Sequence, residues 1–438
     1  MKLTFYGGAG DVTGANYILE EGDFQAMVDC GLHQGGKYAE DMNYTPFGYD
    51  PKTLEFVFVT HSHIDHVGRL PRLYKEGFRG TVYATDATAD LMAIALPDNM
   101  SHIAHEARQD GHEPLFDEED LNGFMRLIRK THYNSPIELA PGITAVFHDS
   151  GHVLGSAIIE FRWKGKNIFF SGDLGNPPMP LLHPTEFIHN ANYVIVESAY
   201  GDRVHEHKLE RRNKLASVIK DTIARKGTLM IPSFALERTQ ELMYELNELV
   251  NHHRIQHIPI FLDSPLAIKL TGVYEKYLGK KVFDIPSITF TDEVSQSKHI
   301  NDVPPPKIII AGSGMSQGGR IMHHERRYLS DPQSTILFVG YQVDGSLGRK
   351  IQRGDKLVSI FGEQIPVRCH VETVSGYSAH ADQPALLRWV KVANTKDSLK
   401  RVFVVQGEET TAKTLANLIR ERLDVDAVAP KIGDSFEL

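Results

Sequence analysis

The run His61-Ser62-His63-Ile64-Asp65-His66 places three imidazoles and a carboxylate within six residues, directly behind the apolar stretch Phe56-Val57-Phe58-Val59-Thr60. Neutral imidazole and carboxylate oxygen are the usual zinc ligands, and a catalytic zinc keeps one position open. A chain with 22 histidines contains isolated ones by chance, but four ligand-type side chains immediately after a strand point to a metal. His61 and His63, two residues apart, can project to one side and hold one ion, while Asp65 and His66 turn toward a second. A catalytic zinc needs three protein ligands, and a two-metal site needs more, with ions about 3.5–4 Å apart. Three further residues share the setting of a strand end with small neighbours. His152 lies in the Gly-flanked loop Asp149-Ser150-Gly151-His152-Val153-Leu154-Gly155-Ser156. Asp173 follows the strand Asn167–Phe170 through Ser171-Gly172 and suits a bridging carboxylate; His380, between Ser378-Ala379 and Ala381-Asp382, is a candidate for the second metal.

The elements that must carry these residues read as layered α/β. Short strands at Lys2–Tyr6, Asn16–Glu20 and Gln25–Asp29 are each bounded by Gly or Asp. The segment Gly8-Ala9-Gly10-Asp11-Val12-Thr13-Gly14 superficially matches a dinucleotide fingerprint, but a strand follows it, so it reads as a turn. Val67–Gly77 reads as helix and Thr81–Ala84 as strand. Thr85–Arg108 reads as helix, with a break or kink at Pro97. Strands recur at Ile143–His148, Ala157–Trp163, Asn167–Phe170 and Tyr193–Glu197. From about Val204 the rhythm becomes helix (Leu209–Lys226), strand (Thr228–Ile231), helix (Glu237–His252), strand (Ile258–Leu262), which predicts a parallel sheet. The strand Lys307–Ala311 runs into Gly312-Ser313-Gly314-Met315-Ser316-Gln317-Gly318-Gly319-Arg320 and a helix over Ile321–Leu329. Such a turn is either a phosphate cradle made of backbone amides or simply a tight turn. Pro304-Pro305-Pro306 reads as a short stiff linker.

Composition bounds the rest. At 438 residues the chain suggests two domains, and 41% hydrophobic with 24% charged residues is an ordinary soluble composition. Two cysteines, Cys30 and Cys369, exclude a disulfide framework and a Cys-rich zinc site. The N-terminus lacks an apolar signal region and no apolar run reaches membrane-spanning length, so a cytoplasmic location and no membrane association are expected. A net charge of −9 argues against coating nucleic acid by bulk electrostatics but leaves room for a local basic groove. Arg320, Arg326, Arg327, Arg349, Lys350 and Arg353 form one cluster, and Lys208, Arg211, Arg212 and Lys214 another. Solvated helix faces are the plain explanation of both.

The set Asp29, His61-Ser62-His63-Ile64-Asp65-His66, His152 and Asp173 resembles the metallo-β-lactamase fold. Glu197-Ser198-Ala199-Tyr200-Gly201-Asp202-Arg203, Ser313–Arg320, Gly340-Tyr341-Gln342-Val343-Asp344-Gly345-Ser346-Leu347-Gly348-Arg349 and Ser375-Gly376-Tyr377-Ser378-Ala379-His380-Ala381-Asp382 are similar to its β-CASP branch, which includes the mRNA 3′-end cleavage endonuclease and bacterial and archaeal relatives. The resemblance implies an α/β protein: a ββα/αββ sandwich interrupted by an inserted β-CASP domain of mainly parallel sheet, with the active site between the two domains. The implied boundaries are 1–203 and 346–438 for the sandwich and 204–345 for the insertion. It further implies two Zn2+ per chain, one held by His61, His63 and His152 and the other by Asp65, His66 and His380, with Asp173 bridging and Asp29 orienting a ligand histidine. Glu197 matches an acidic residue that orients His380, and Asp65, Glu197 and His380 carry the catalytic roles.

The activity implied is hydrolysis of single-stranded RNA by a dizinc-activated hydroxide. Ser313, Gly314, Gly318, Gly319, Arg320, Arg349 and Lys350 are expected to grip the sugar-phosphate backbone. Eukaryotic members carry a histidine where this chain has Arg349 and Lys350, which leaves the general acid open; His380 serves either as acid or as ligand. Two other readings stand beside this one: a small-molecule ester or thioester hydrolase, and a non-catalytic RNA-binding subunit. A homodimer or a processing-complex partner is compatible with either RNA reading.

Overall fold

A computed structural model describes residues 1–35, 37–205, 210–340, 342–343, 345–374 and 376–438. The chain divides into two compact units, Met1–Val204 with Ala379–Leu438, and His205–Ser378.

The first unit is built on two seven-stranded sheets. One runs in the order Ser435–Glu437, Lys2–Gly7, Asn16–Glu21, Phe24–Val28, Phe56–Phe58, Thr81–Thr85, Ile128–Thr131. The other runs Ala427–Val428, Arg401–Val405, Tyr193–Glu197, Lys166–Phe170, Ala157–Trp163, Ile143–Asp149, Ile137–Ala140. Their facing sides share one core in which Leu3, Phe5, Tyr17 and Phe58 meet Phe147, Phe161, Phe170 and Phe403. Phe58 and Phe161 cross edge to face at 4.9 Å, so truncating either to Ala would cost about 3–5 kcal/mol. Helices cover both outer faces. Leu70, Leu73, Met92 and Leu96 pack on the first sheet, and Leu386, Trp389, Leu415 and Ile419 on the second.

The helix Asp86–Asp110 starts because Thr85 accepts a hydrogen bond from the Thr88 amide (3.2 Å), and it stops at Gly111 in the left-handed region. Of the break or kink expected at Pro97, the break does not occur: Pro97 lies inside the helix. The helix expected over Val67–Gly77 is two short ones, Ile64–Val67 and Leu70–Lys75, separated at Gly68 and Arg69.

The second unit holds a parallel six-stranded sheet in the order Ile288–Phe290, Ile260–Asp263, Lys307–Ala311, Thr228–Pro232, Thr335–Phe338, His370–Thr373. Its central strands are buried along their whole length, as sheets covered on both faces require. The last strand corrects the expected boundary at 345/346. His370–Thr373 pairs in register with Thr335–Phe338, and Ile351, Val358, Ile360 and Ile365 join the core of this unit with Ile309 and Ile336. Residues 346–378 therefore pack with the second unit. The cluster expected around Lys208 also differs: Lys208 and Leu209 lie outside the described residues. Arg211 is not on a solvated face but buried between Glu241 (2.6 Å) and Glu245 (3.0 Å).

Candidate metal centre

Every residue expected to bind metal lies in the first unit. The strand Phe56–Phe58 leads through Val59 and Thr60 to the helix Ile64–Val67, with His63 O accepting from the amides of His66 and Val67. Gly31 permits this turn, because a Cβ there would overlap the Asp65 carbonyl at 1.4 Å. The His152 loop is shaped by Ser156, whose Oγ accepts from the amides of His152 (3.0 Å) and Val153 (3.1 Å). Thr85 and Thr88 tie it down by donating to the Gly155 carbonyl at 2.7 and 2.8 Å. Asp173 follows the strand Lys166–Phe170, and the adjacent segment is bridged to His380 through Gly175, while the Ala381 amide donates to Leu174 O. The C-terminal segment is thereby registered on the Asp173 loop.

Four donor atoms converge. His63 Nδ1 lies 3.1 Å from His61 Nε2 and 3.2 Å from His152 Nε2. Asp173 Oδ2 lies 3.4 Å from both His61 Nε2 and His152 Nε2. Ligands about 2.0–2.1 Å from a tetrahedral zinc sit about 3.3 Å apart, so these residues fit such an ion. Burial, with neighbouring imidazoles, holds His63 and His152 well below the ordinary histidine pKa and lowers His61 too, which leaves neutral rings able to donate lone pairs. Burial works against the Asp173 carboxylate, but His66, His61 and His380 outweigh it and hold its pKa well below the usual range.

Hydrogen bonds fix which nitrogen of each ring points inward. Asp29, buried and acceptor-only, receives the Thr60 amide on Oδ1 (2.8 Å) and both the Thr60 hydroxyl (2.7 Å) and His66 Nδ1 (2.7 Å) on Oδ2. With its hydrogen given to Asp29, Thr60 Oγ1 accepts from His61 Nδ1 at 3.1 Å. His152 Nδ1 faces the Ala379 carbonyl at 3.4 Å. Each of the three rings is thus protonated at Nδ1 and presents the Nε2 lone pair to the centre.

The two oxygens of Asp173 face different neighbours. Oδ1 lies 3.4 Å from His66 Nε2, which is itself 3.7 Å from Asp65 Oδ2. His380 is on the other side: its Nδ1 lies 3.2 Å from Glu197 Oε2 and 3.8 Å from Asp173 Oδ2. His380 thus groups with Asp173 and with Glu197, the residue expected to orient it, whose Oε1 is fixed by the Leu174 amide at 2.6 Å. Burial opposes charge on His380, but Glu197 and Asp173 outweigh it and push its pKa up to about 10.

Three family models match the chain in order: the metallo-β-lactamase superfamily over residues 9–193, the β-CASP domain over 239–351, and the Zn-dependent metallo-hydrolase RNA specificity domain over 364–430. Ribonuclease TTHA0252 of Thermus thermophilus is 36% identical over an alignment of 435 positions that covers 96% of each protein. The chain belongs to the β-CASP ribonuclease family. The transcription termination factor FttA of Methanosarcina mazei is 31% identical over 98% of this chain and 70% of its own length. A crystal structure of a protein of unknown function from Enterococcus faecalis covers 100% of this chain and 99% of that one with a TM-score of 0.60; at 13% identity this likeness is one of fold alone.

Of the residues expected to hold RNA, this β-CASP chain ties several down internally. Arg320 does not present a free cation: its guanidinium donates to Asp263 Oδ1 (2.8 Å), Thr291 O (2.8 Å) and Asp292 O (2.6 Å). In the glycine-rich turn, the Ser313 amide donates to Gly318 O, the Ser316 amide to Ser313 O and the Gln317 amide to Ser313 Oγ, while Gly314 O accepts from Gln342. Gly319 sits at φ +69°, where a Cβ would meet the Gly312 carbonyl at 2.3 Å. The tight-turn reading describes these contacts, and four of its amides, counting Ile321 N on Gly312 O, are engaged within it. Arg349 donates to Gln352 (3.1 Å), and Lys350 is exposed. Tyr341, Asp344 and Ser375 of the quoted motifs lie outside the described residues.

Sequence reasoning missed two members of the centre. Thr60 reads in the sequence only as the last residue of an apolar stretch. Gln406 lies with Nε2 2.8 Å from His66 Nε2. Its signal was available: Gln406-Gly407 follows the strand Arg401–Val405, the same setting that marks Asp173 and Glu197.

Proposed function

We propose that this protein is a metal-dependent ribonuclease that hydrolyses phosphodiester bonds in single-stranded RNA with two divalent ions at the centre described. The observation that carries the reading is the convergence of three neutral imidazole nitrogens and Asp173 Oδ2 at 3.1–3.4 Å along the measured edges. Bound there, the ions would supply Lewis acidity that activates water and offsets charge on the phosphate. The chain's own residues do the rest. His61, His63, His152 and Asp173 hold the first ion, and Asp65, His66 and Asp173 Oδ1 surround the second. His380 keeps a proton at Nδ1 against the buried Glu197 carboxylate, which positions the ring as proton donor to the leaving oxygen, a role worth about 10²–10⁴ in rate. We assign Lys350 and Arg349 to the RNA phosphates. Among the described residues no helix is long and apolar enough to cross a membrane, and Cys30 and Cys369 are free buried thiols; we place the protein in the cytoplasm.

The test is cleavage of end-labelled single-stranded RNA, with metal content measured on the same samples. Wild type is expected to cut, His152→Ala to lose both metal and cutting, and His380→Ala to keep metal while losing most of its rate. RNA cleavage by metal-free His152→Ala, or thioester turnover by wild type without RNA cleavage, would sink the proposal.

A further inference from the structure

The side of the centre facing Asp65 and His66 has a neighbour that no ligand-type residue would announce. Gln406 reaches into a small cavity lined by Tyr17, Asp29, Thr60, His66 and Gly172. Its Nε2 lies 2.8 Å from His66 Nε2, and His66 Nδ1 is committed to Asp29 at 2.7 Å, so the Gln406 amide faces the one nitrogen that His66 can offer a metal. A cation seated on that nitrogen excludes an N–H from it. The carboxamide must then turn over, a rotation about its last bond, and this places Oε1 where Nε2 stood. Nothing on the other side holds the amide in either orientation, since Gln406 Oε1 is buried without a hydrogen-bond partner.

The donors gathered around this position are then His66 Nε2, Asp173 Oδ1 at 3.4 Å from it, Asp65 Oδ2 at 3.7 Å, and the Gln406 amide oxygen. That is one nitrogen and three oxygens, against three nitrogens and one oxygen at the His61, His63, His152 and Asp173 position. Imidazole-rich sets suit zinc, and oxygen-rich sets suit harder ions.

We propose that Gln406 ligates the second divalent ion through its amide oxygen, making that position an exchangeable site for a hard cation such as Mn2+ beside a firmly held zinc. The proposal rests on the two-ion reading given above. Its test counts ions and does not depend on RNA cleavage. Zinc-loaded protein is dialysed against a mild chelator, residual zinc is measured by mass spectrometry, and Mn2+ binding is then followed by electron paramagnetic resonance. Wild type is expected to keep one zinc and take up one Mn2+. Gln406→Glu, which retains an oxygen donor and adds charge, should bind Mn2+ at least about tenfold more tightly, and Gln406→Ala at least about tenfold more weakly, both with the first zinc in place. Gln406→His, a nitrogen donor, should retain two zincs and carries the test if Gln406→Ala fails to fold. A residue that only props His66 through its N–H would lose Mn2+ in the Glu and Ala variants alike, and that result overturns the proposal. So do two zincs held equally firmly by wild type, or a Gln406→His variant that keeps only one. Protein that binds no ion at all fails the two-ion reading itself.

Discussion

Asp29→Asn is a nearly isosteric change whose consequences follow from hydrogen directions. The asparagine oxygen must stay on the Thr60 amide, now 2.8 Å from Oδ1, because turning the amide over would set two N–H groups against each other in a buried site at a cost of about 1–3 kcal/mol. Its NH2 group then occupies the place of Oδ2, facing the Thr60 hydroxyl and His66 Nδ1, each 2.7 Å from that oxygen. His66 Nδ1 can only accept, so the ring proton moves to Nε2 and the lone pair aimed at the metal disappears. Thr60 Oγ1, no longer able to donate to residue 29, turns its hydrogen toward His61 Nδ1 at 3.1 Å and pushes that ring the same way. Loss of such an outer partner costs about 10–100-fold in metal affinity, or about 1.4–2.7 kcal/mol. The ion bound by His66 should take the full effect, and the ion bound by His61 a smaller one, since Thr60 intervenes. Thr60→Val separates the two paths, because it removes the relay to His61 and leaves Asp29 on His66. It should weaken the first ion more than the second. Competition titrations with a coloured chelator give both affinities, and 15N-detected imidazole spectra report the tautomers directly. Wild-type affinities in Asp29→Asn, or a Thr60→Val variant weakened mainly at the second ion, would refute the relay.

Arg320→Ala should destabilise the second unit by about 3 kcal/mol, the low end for breaking a buried pair, since Asp263 keeps His324, Ser297 and Thr291. Urea unfolding measures this loss, and an unchanged midpoint would return Arg320 to the RNA-binding set. Burial would raise the Asp263 pKa, but those partners and Arg320 outweigh it and hold it at about 2, so the stabilisation is complete above the unfolded value near 3.9 and is lost as pH falls through 2. The stability gap between wild type and Asp263→Asn should accordingly close between about pH 4 and pH 2. Glu325 has the opposite sign. Burial pushes its pKa up to about 8, so the folded state keeps a proton that the unfolded chain releases near 4.3, and stability falls as pH rises from about 4 to 8. Glu325→Gln should therefore gain on wild type over that range in thermal melts, and a pH-independent difference would contradict the assignment. Lys350→Ala should weaken single-stranded RNA binding uniformly across sequences and reduce the slope of log affinity against log salt by about 0.7.

What sequence reading could and could not supply follows from the kind of signal each residue gives. His61, His63, Asp65, His66, His152 and Asp173 were visible because a ligand-type side chain beside a strand end is rare, and strand ends are where an α/β sandwich presents side chains to a site. The parallel sheet of the second unit was visible because Lys307–Ala311 and Thr228–Pro232 are buried on both faces and so read as unbroken apolar runs. The boundary at 378/379 was not visible, because His370–Thr373 is a short strand whose membership is decided by its pairing with Thr335–Phe338 and by no local pattern. Arg320 and Arg211 misled for a related reason. A cationic head announces charge, and only the fold reveals whether Asp263, Glu241 and Glu245 have already met it. Gln406 is the sharpest case. Its amide is among the least distinctive side chains in a sequence, yet the register that sets Glu197 opposite Val405 carries the next residue to within 2.8 Å of His66. The histidine cluster points to a metal here; on the proposal above, the neutral residue beside it, placed by strand pairing more than three hundred positions later, is what would set the preference of a second ion.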